Sequence, residues 1–339
     1  METLKMGIIG CGNMGQSHIS TMRGIDSISI AALSDPVQAN VTEAAAMVDG
    51  GAAQFDDYNA LLADPGVQAV VVATPNFLHA EVTIAALEAG KDVLCEKPMA
   101  LTVDDCDVMW NTAQRLGRKL MAGQVLRLMH PFVEMRELIA SGEIGEPRSA
   151  NIERISGSWL FAFAKSDTWR MSKKKTGGLL YEINAHELDL LRSVFGEPTQ
   201  VYAKSVNVAN PNHDYEDTNL VLADFEGGQS ATLYGSSASA FGRTTGTFFC
   251  TEGSVTYRWG FDEADARALR YQKFDDDEPT PVEFPDDHRA GLRSQAQSFA
   301  QWVLQDVDPE VTGWDGRQSV AMAEAAYESA RTNLPVKVR

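Results

Sequence analysis

The glycine-rich turn GCGNMG, which begins at Gly10, directly follows the apolar run MGII and limits the folds open to this chain more than any other feature. Gly10, Gly12 and Gly15 have the G-x-G-x-x-G spacing of a turn that joins a strand to a helix. In such a turn the first glycine permits a tight bend, the second lets a pyrophosphate approach the backbone, and the third lets the helix pack closely. Asn13 and Met14 lie at the start of that helix, where partial positive charge suits a phosphate. The pattern predicts a dinucleotide-binding turn; a glycine-rich turn without a ligand is the alternative.

The first 120 residues alternate short apolar runs with helical patterns. The runs MGIIGC, SISIAALSD, AVVVATP and DVLCEK are continuously apolar, which is typical of parallel strands covered on both faces. Helical patterns follow at about residues 12–23 and in HAEVTIAALEAG, which ends on a glycine cap. This alternation predicts an α/β domain with a doubly wound Rossmann sheet, at residues 1–123.

Asp35 ends the second predicted strand, about 20 residues after Gly15. A carboxylate at this place accepts hydrogen bonds from the adenosine ribose hydroxyls and repels a 2′-phosphate. No Arg or Lys directly follows Asp35. We therefore expect NAD as the cofactor, with NADP disfavoured.

The pattern changes after residue 123. A helical segment, PFVEMRELIASG, precedes long stretches of alternating residues such as TNLVLADFEGGQSATLYGSS and GTFFCTEGSVTYRW. Alternation with EGG and TEG turns predicts an antiparallel sheet with one covered face. Two helical segments end the chain, LRSQAQSFAQWVLQD and DGRQSVAMAEAAYESART. We expect an α+β domain at residues 124–339 with an open, mainly antiparallel sheet, and we expect its last helices to pack back on the first domain.

The composition narrows the choice of partners. There are 29 basic and 47 acidic residues, giving a net charge of −18, so neither a nucleic acid nor an anionic membrane surface is expected as a partner. No apolar run approaches the roughly 18 residues of a membrane span. The first residues run directly into the strand-and-glycine pattern, which leaves no room for a signal peptide and predicts a cytoplasmic protein. The four cysteines form no CxxC pair, so neither a disulfide framework nor a metal site is indicated.

The segment GGLLYEINAHELDLLRSVFG contains polar residues within an apolar run. A single helix over residues 177–196 places Glu182, His186, Asp189 and Ser193 on one stripe, because a helix turns about 100° per residue. The stripe is either a solvated face or part of a functional site. Asn184 points away from this stripe unless the helix begins late or bends.

Two further motifs follow the carboxyl ends of predicted strands, where ligands bind in a doubly wound sheet. They are ATPNFLH at residues 73–79 and CEKPMA at residues 95–100. Together with the glycine turn, RLMHPFVEMRELIASGEIGEP, DTWRMSKKKTGGLLYEINAHELDLL and the C-terminal DGRQSVAMAEAAYESARTNLPVKV, they resemble the family of glucose-fructose oxidoreductase, inositol dehydrogenase and rhizopine catabolism protein (Gfo/Idh/MocA). The resemblance covers nearly the whole chain, in order.

The resemblance implies an NAD-dependent oxidoreductase that acts on one secondary alcohol of a sugar, sugar derivative or cyclitol. It places the family's active-site lysine at Lys97 and its carboxylate and histidine at Glu182 and His186. Histidine suits the general base because its unperturbed pKa is about 6.5, and Lys97 would stabilise the developing alkoxide. Most members have Asp where this chain has Glu182, so that carboxylate either supports His186 or binds a substrate hydroxyl. The family also commonly forms homodimers or homotetramers through the C-terminal sheet.

Further candidate residues follow from the same resemblance. In the motif ATPNFLH, Asn76 and His79 either contact the cofactor or cap the helix that follows. For the pocket, Arg offers a fork of donors and Trp an apolar ring face, although tryptophan more often only packs. The candidates for cofactor binding are Thr74, Pro75, Asn76, His79, Glu96 and Lys97, and those for substrate binding are Lys97, Arg127, Trp159, Trp169, Arg170, Glu182 and His186.

Two other functions stay open at this point. Some relatives hold NAD tightly, oxidise a sugar transiently and eliminate a glycosidic substituent, so a glycoside hydrolase or lyase is one alternative. Tyr181 or Glu182 would then be the additional acid. A non-catalytic NAD-binding regulator is the other alternative, and the presence of both Lys97 and His186 argues against it.

Overall fold

The structure is a computed structural model, and it describes residues 2–156, 169–209, 214–260, 267–287 and 289–339. The chain divides into two compact units, each made of two segments. The first unit contains Met1–Leu128 and Arg289–Val320, and the second contains Met129–His288 and Ala321–Arg339. The two predicted domains differ from these units mainly because residues Arg289–Val320 belong to the first one.

The first unit contains a six-stranded, fully parallel sheet. Its strands are β1 (Leu4–Ile9), β2 (Ile28–Ser34), β3 (Ala53–Phe55), β4 (Ala69–Val72), β5 (Asp92–Cys95) and β6 (Leu120–Ala122), and its helices are α1 (Asn13–Met22), α2 (Gln38–Ala45), α3 (Tyr58–Leu62), α4 (His79–Glu88) and α5 (Val103–Leu116). The strand order is β3-β2-β1-β4-β5-β6. All residues of β4 and β5 are buried, as expected for parallel strands covered on both faces. The predicted Rossmann sheet is thereby confirmed.

The second unit contains a nine-stranded open sheet. Its strands are β7 (Pro147–Ser156), β8 (Pro198–Val206), β9 (Thr218–Phe225), β10 (Ser230–Ser236), β11 (Gly242–Cys250), β12 (Gly253–Gly260), β13 (Ala268–Lys273), β14 (Thr280–Pro281) and β15 (Val336–Lys337), and its helices are α6 (Phe132–Ser141), α7 (Lys173–Thr176), α8 (Leu179–Glu182) and α9 (Ala185–Phe195). The strand order is β14-β13-β12-β11-β7-β10-β9-β8-β15. Every pairing is antiparallel except that of β7 with β10, which is parallel.

One face of this sheet is covered. Helix α9 packs on β7 and β10, and its Phe195 ring lies 5.2 Å from that of Phe225 and 5.7 Å from that of Phe248. Along β9, Val221 is buried whereas the neighbouring Leu222 is 42% exposed. The predicted alternation of a half-covered sheet is therefore present.

Two long helices complete the chain, α10 (Ala290–Gln305) and α11 (Gly313–Thr332). Phe299 and Trp302 of α10 belong to the same buried cluster as Met6 and Ile19, so the amphipathic pattern of α10 supplies part of the core of the first unit. No helix within the described residues is long and apolar enough to cross a membrane.

The single helix predicted over residues 177–196 is wrong. The chain forms α8, then a break at Ile183 and Asn184, then α9. Asn184 is the N-cap residue of α9, with φ −83° and ψ −1°. The break is fixed by tertiary packing, because the Asn184 side chain lies against Gly235 of β10, where a Cβ would lie 2.2 Å from Asn184 Oδ1.

Candidate active site

The glycine turn between β1 and α1 contains two glycines that the protein itself requires. Gly10 has φ +92°, and a Cβ on it would lie 2.5 Å from the Ala73 carbonyl oxygen. A Cβ on Gly15 would lie 2.0 Å from the Gly10 carbonyl oxygen, so this glycine lets α1 pack on the turn. A Cβ on Gly12 would meet no described atom within 4 Å. The space beside Gly12 therefore fits a group outside the chain, as a pyrophosphate requires.

Asp35 lies directly after β2 and beside this turn, with 8% of its surface exposed. Its Oδ2 accepts a hydrogen bond from the Cys11 N–H (2.9 Å) and its Oδ1 accepts one from the Val37 N–H (2.8 Å). These bonds fix the carboxylate and leave lone pairs on both oxygens, which suits the two hydroxyls of a ribose. Burial, and then the charge of Asp35, raises the pKa of the Cys11 thiol to about 12, so Cys11 stays neutral.

In the loop after β4, neither Asn76 nor His79 caps the helix that follows. A 3₁₀ turn, Asn76–Leu78, precedes α4, and the N-cap residue of α4 is Leu78. Asn76 is buried within the turn, and His79 is the first residue of α4. The His79 ring lies between two carbonyl oxygens, with Nδ1 2.7 Å from that of Pro98 and Nε2 2.8 Å from that of Thr74. His79 therefore bonds the protein backbone rather than capping the helix.

The turn after β5 holds the proposed catalytic lysine. Glu96 is buried, and its Oε1 lies 2.8 Å from His18 Nε2 while its Oε2 accepts the Lys97 N–H at 3.1 Å. Burial opposes ionisation of Glu96, but the hydrogen bond and charge of His18, together with Lys97, hold its pKa below its ordinary value. Lys97 is partly exposed. The sequence prediction missed His18, although it stands three residues after Gly15.

In the second unit, the glycine pair before α8 makes room for a tyrosine. Gly178 has φ +95°, and a Cβ there would lie 2.4 Å from the Tyr327 hydroxyl oxygen. That hydroxyl accepts the Leu180 N–H at 3.2 Å, and the Tyr327 ring stacks on Tyr181, with centroids 6.1 Å apart. Tyr181, the candidate acid of the hydrolase alternative, is 5% exposed and part of this stack.

Three of the predicted substrate residues lie together at the end of α8. Arg170 Nε donates to Glu182 Oε1 at 3.1 Å, and the Arg170 guanidinium lies over the Trp169 ring, 4.3 Å from its centroid. The Tyr215 hydroxyl donates to the Arg170 carbonyl oxygen at 2.9 Å. Burial, and then the charge of Glu182, raises the pKa of Tyr215 well above its ordinary value, so it remains a donor. Trp159 lies outside the described residues.

His186 lies in the first turn of α9 and is partly exposed. Its neighbours on that turn are buried: Asn184 Nδ2 donates to Glu187 Oε2 at 3.3 Å, and Glu187 Oε1 lies 3.7 Å from Arg154 Nη1. Asp189 is fully buried as well. The solvated-face alternative for the polar stripe is therefore wrong, because its carboxylates lie inside the unit.

Arg127, a predicted substrate residue, has its contacts within the first unit, and its contact with a sugar stays a prediction. It is 7% exposed in the 3₁₀ turn Val125–Leu128, and its Nη1 lies 3.2 Å from Asp315 Oδ1 and 3.4 Å from the Glu310 carbonyl oxygen. Asp315 in turn accepts hydrogen bonds from the backbone N–H and hydroxyl of Thr312. This ion pair joins segments of the first unit, which gives Arg127 a structural place.

The parallel sheet and its glycine turn define a dinucleotide-binding fold, and comparison with known proteins identifies the class as NAD-binding oxidoreductases. Residues 4–124 match the oxidoreductase family with an NAD-binding Rossmann fold, and residues 132–256 match the GFO/IDH/MocA C-terminal domain. The chain belongs to the Gfo/Idh/MocA family, as the sequence motifs predicted.

Individual relatives span most of this chain. Inositol 2-dehydrogenase 2 of Saccharopolyspora erythraea is 28% identical over 99% of this chain and 96% of its own length. The 2,7-anhydro-N-acetylneuraminate hydratase of Mediterraneibacter gnavus is 34% identical over 66% of this chain and 58% of its own length. Among solved structures, aldose-aldose oxidoreductase of Caulobacter crescentus, complexed with glycerol, is 25% identical with a TM-score of 0.86, covering 99% of this chain and 100% of that one.

Proposed function

We propose that this protein transfers a hydride between a secondary alcohol of a sugar, sugar derivative or cyclitol and NAD. The observation that carries the proposal is the buried Glu182, ion-paired with Arg170 above the Trp169 ring, four residues before the partly exposed His186. A carboxylate and a guanidinium offer acceptors and donors to adjacent hydroxyls, and an indole face suits the apolar C–H face of a sugar ring. This combination fits a polyol better than an apolar alcohol.

Each residue has a distinct part in the reaction. His186 takes the proton from the substrate hydroxyl, since imidazole titrates near neutral pH. The Lys97 ammonium hydrogen-bonds the same oxygen and stabilises its developing negative charge. Glu182, held in place by Arg170, accepts hydrogen bonds from neighbouring substrate hydroxyls and so orients the reacting carbon. Bound NAD supplies the hydride acceptor.

The residues around the glycine turn hold the cofactor in this proposal. Gly12 gives the pyrophosphate access to the backbone, with Asn13 and Met14 exposed beside it at the start of α1, and Asp35 accepts the adenosine ribose hydroxyls. The turns after β4 and β5 carry Thr74, Pro75, Asn76 and Glu96, which would hold the nicotinamide end of the cofactor. Both Glu96 oxygens already have protein partners, so any ribose contact must share them.

A panel of free sugars, cyclitols and aryl glycosides, each with added NAD, tests the proposal. Growth of the reduced-nicotinamide absorbance on one free sugar or cyclitol is the expected result. Release of the aryl group without added NAD and without net reduction would favour redox-neutral glycoside cleavage instead. Binding of NADH with neither activity across the panel would favour a regulator.

We also propose that the exposed face of the nine-stranded sheet forms a homodimer or homotetramer contact. Leu220 and Leu222 of β9 and Phe249 of β11 are each more than 40% exposed on this face, which is unusual for large apolar side chains of one sheet face. Leu222 pairs directly with Tyr202 of β8, which extends the apolar patch. Light scattering should report a dimer or tetramer, and Leu220→Glu with Leu222→Glu should shift it toward the monomer; an unchanged mass would contradict this contact.

A cytoplasmic location is consistent with the cysteines. All four are buried thiols without a disulfide. Unpaired thiols are typical of reducing compartments. Fractionation of the native host cells would test this location.

A further inference from the structure

Two buried histidines of the first unit, His18 and His79, contact the turn that carries Lys97 from different elements, and neither has a part in the mechanism above. We propose that they are positioning residues, which together hold Lys97 at the substrate oxygen. The proposal rests on the role of Lys97 in the proposed function.

His18 acts on the residue before Lys97. It lies on α1, the helix that follows the glycine turn, and its Nε2 donates to Glu96 Oε1 at 2.8 Å. The side chains are 1% and 8% exposed, so the bond is shielded from water. The other Glu96 oxygen accepts the Lys97 backbone N–H at 3.1 Å. The Glu96 carboxylate therefore links α1 to the backbone of Lys97 through two hydrogen bonds.

His79 acts on the residue after Lys97. Its Nδ1 lies 2.7 Å from the Pro98 carbonyl oxygen and its Nε2 lies 2.8 Å from that of Thr74, and it is 1% exposed. A carbonyl oxygen only accepts hydrogen bonds, so both bonds exist at once when the ring is an imidazolium. In that form His79 joins the loop after β4 to the turn after β5.

The turn has little room to move between these contacts. A Cβ on Gly123 would lie 3.0 Å from both Glu96 Oε2 and the Lys97 nitrogen, so the backbone after β6 packs directly against the turn. A misplacement of about 1 Å at a reacting group costs roughly 10²-fold in rate. Loss of either histidine should therefore act on the turnover number through the position of Lys97.

The test compares His18→Leu and His79→Leu with a matched control, Lys91→Met. Lys91 is also buried, donates to the carbonyl oxygens of Asp64 and Val67, and lies at the opposite end of β5 from Lys97. All three variants lose buried hydrogen bonds and should lower the thermal midpoint. Only the histidine variants should lower kcat, by about 10- to 100-fold, with a smaller change in the Kd for NADH measured by fluorescence.

Repeating the substitutions in a Lys97→Met background separates positioning from general destabilisation. If the histidines act through Lys97, each should then reduce kcat by less than about threefold, because residues that act as a unit are non-additive. Equal losses in both backgrounds would overturn the proposal while the proposed function stands. An unaltered kcat in Lys97→Met alone would instead remove Lys97 from the mechanism, and the positioning role with it.

A conservative variant distinguishes loss of the hydrogen bond from misfolding. Glutamine keeps an amide donor near the position of the imidazole Nε2, so His18→Gln should restore more of kcat than His18→Leu at the same thermal midpoint. Equal kcat values for the two variants would contradict a role for the bond to Glu96.

Discussion

Replacement of Gly12 and of Gly15 by alanine should affect stability and NADH binding differently. A Cβ on Gly15 would lie 2.0 Å from the Gly10 carbonyl oxygen, and atoms pack comfortably at about 3.5 Å, so α1 must shift by about 1.5 Å. Overpacking of this kind costs about 1–3 kcal/mol. At about 2–4 °C per kcal/mol for a unit of this size, the thermal midpoint of Gly15→Ala should fall by roughly 2–12 °C.

Gly12→Ala should leave folding unchanged. A Cβ there meets no described atom within 4 Å, and the backbone of Gly12 (φ −72°, ψ −163°) is open to alanine. The added methyl group instead fills the space proposed for the pyrophosphate. The Kd for NADH should rise at least about tenfold, a loss of about 1.4 kcal/mol.

Thermal unfolding without dinucleotide and NADH titration by calorimetry measure the two effects separately. Gly15→Ala should lower the thermal midpoint and also weaken NADH binding, because the shift of α1 moves the helix N-terminus. Gly12→Ala should weaken NADH binding without lowering the thermal midpoint. An NADH affinity within twofold of the parent protein in Gly12→Ala would refute the placement of the pyrophosphate at this turn.

Three further substitutions test other parts of the account. Arg127→Met should destabilise the protein by about 3 kcal/mol, because it breaks the buried pair with Asp315, and the folded variant should keep the substrate KM of the parent protein. Urea unfolding and steady-state kinetics measure these two quantities, and a raised KM would indicate that Arg127 binds the substrate. Because the folded-state pKa of Glu96 lies below its ordinary value, its stabilising contribution is present above that ordinary value and is lost as the pH falls through the folded-state pKa. Glu96→Gln should therefore weaken the fall of the urea unfolding midpoint in acid. His186→Ala should reduce kcat by about 10²- to 10⁴-fold, and near-normal turnover would exclude it as the base.

The sequence predicted the long, strongly patterned elements of the fold. The continuous apolar runs identified β1, β2, β4 and β5, because a strand buried on both faces must be apolar throughout. The strands β3 and β6 have only three residues each, too few to show a period. The parallel pairing of β7 with β10 was also hidden, since an alternating strand looks the same whichever way its partner runs.

The sequence predicted which residues belong to the candidate site, but it did not predict which of them contact each other. The motifs indicated Arg170 and Glu182, but only folding shows that they form an ion pair. The break before α9 depends on the packing of Asn184 against Gly235 of β10, a contact between segments far apart in the chain. The sequence indicated Arg127 by its residue type, but its ion pair with Asp315 is visible only in the folded chain. Side-chain type restricts what a residue can do, and the tertiary partner decides which of those roles it has.

The most direct test of the account is to follow the hydrogen of the substrate carbinol. The substrate identified by the panel would be prepared with deuterium on the oxidised carbon and turned over with NAD, and the reduced cofactor would be analysed by mass spectrometry. Direct transfer predicts NADH that carries the deuterium in proportion to the product formed. Product formation without deuterated NADH in solution would contradict a dehydrogenase.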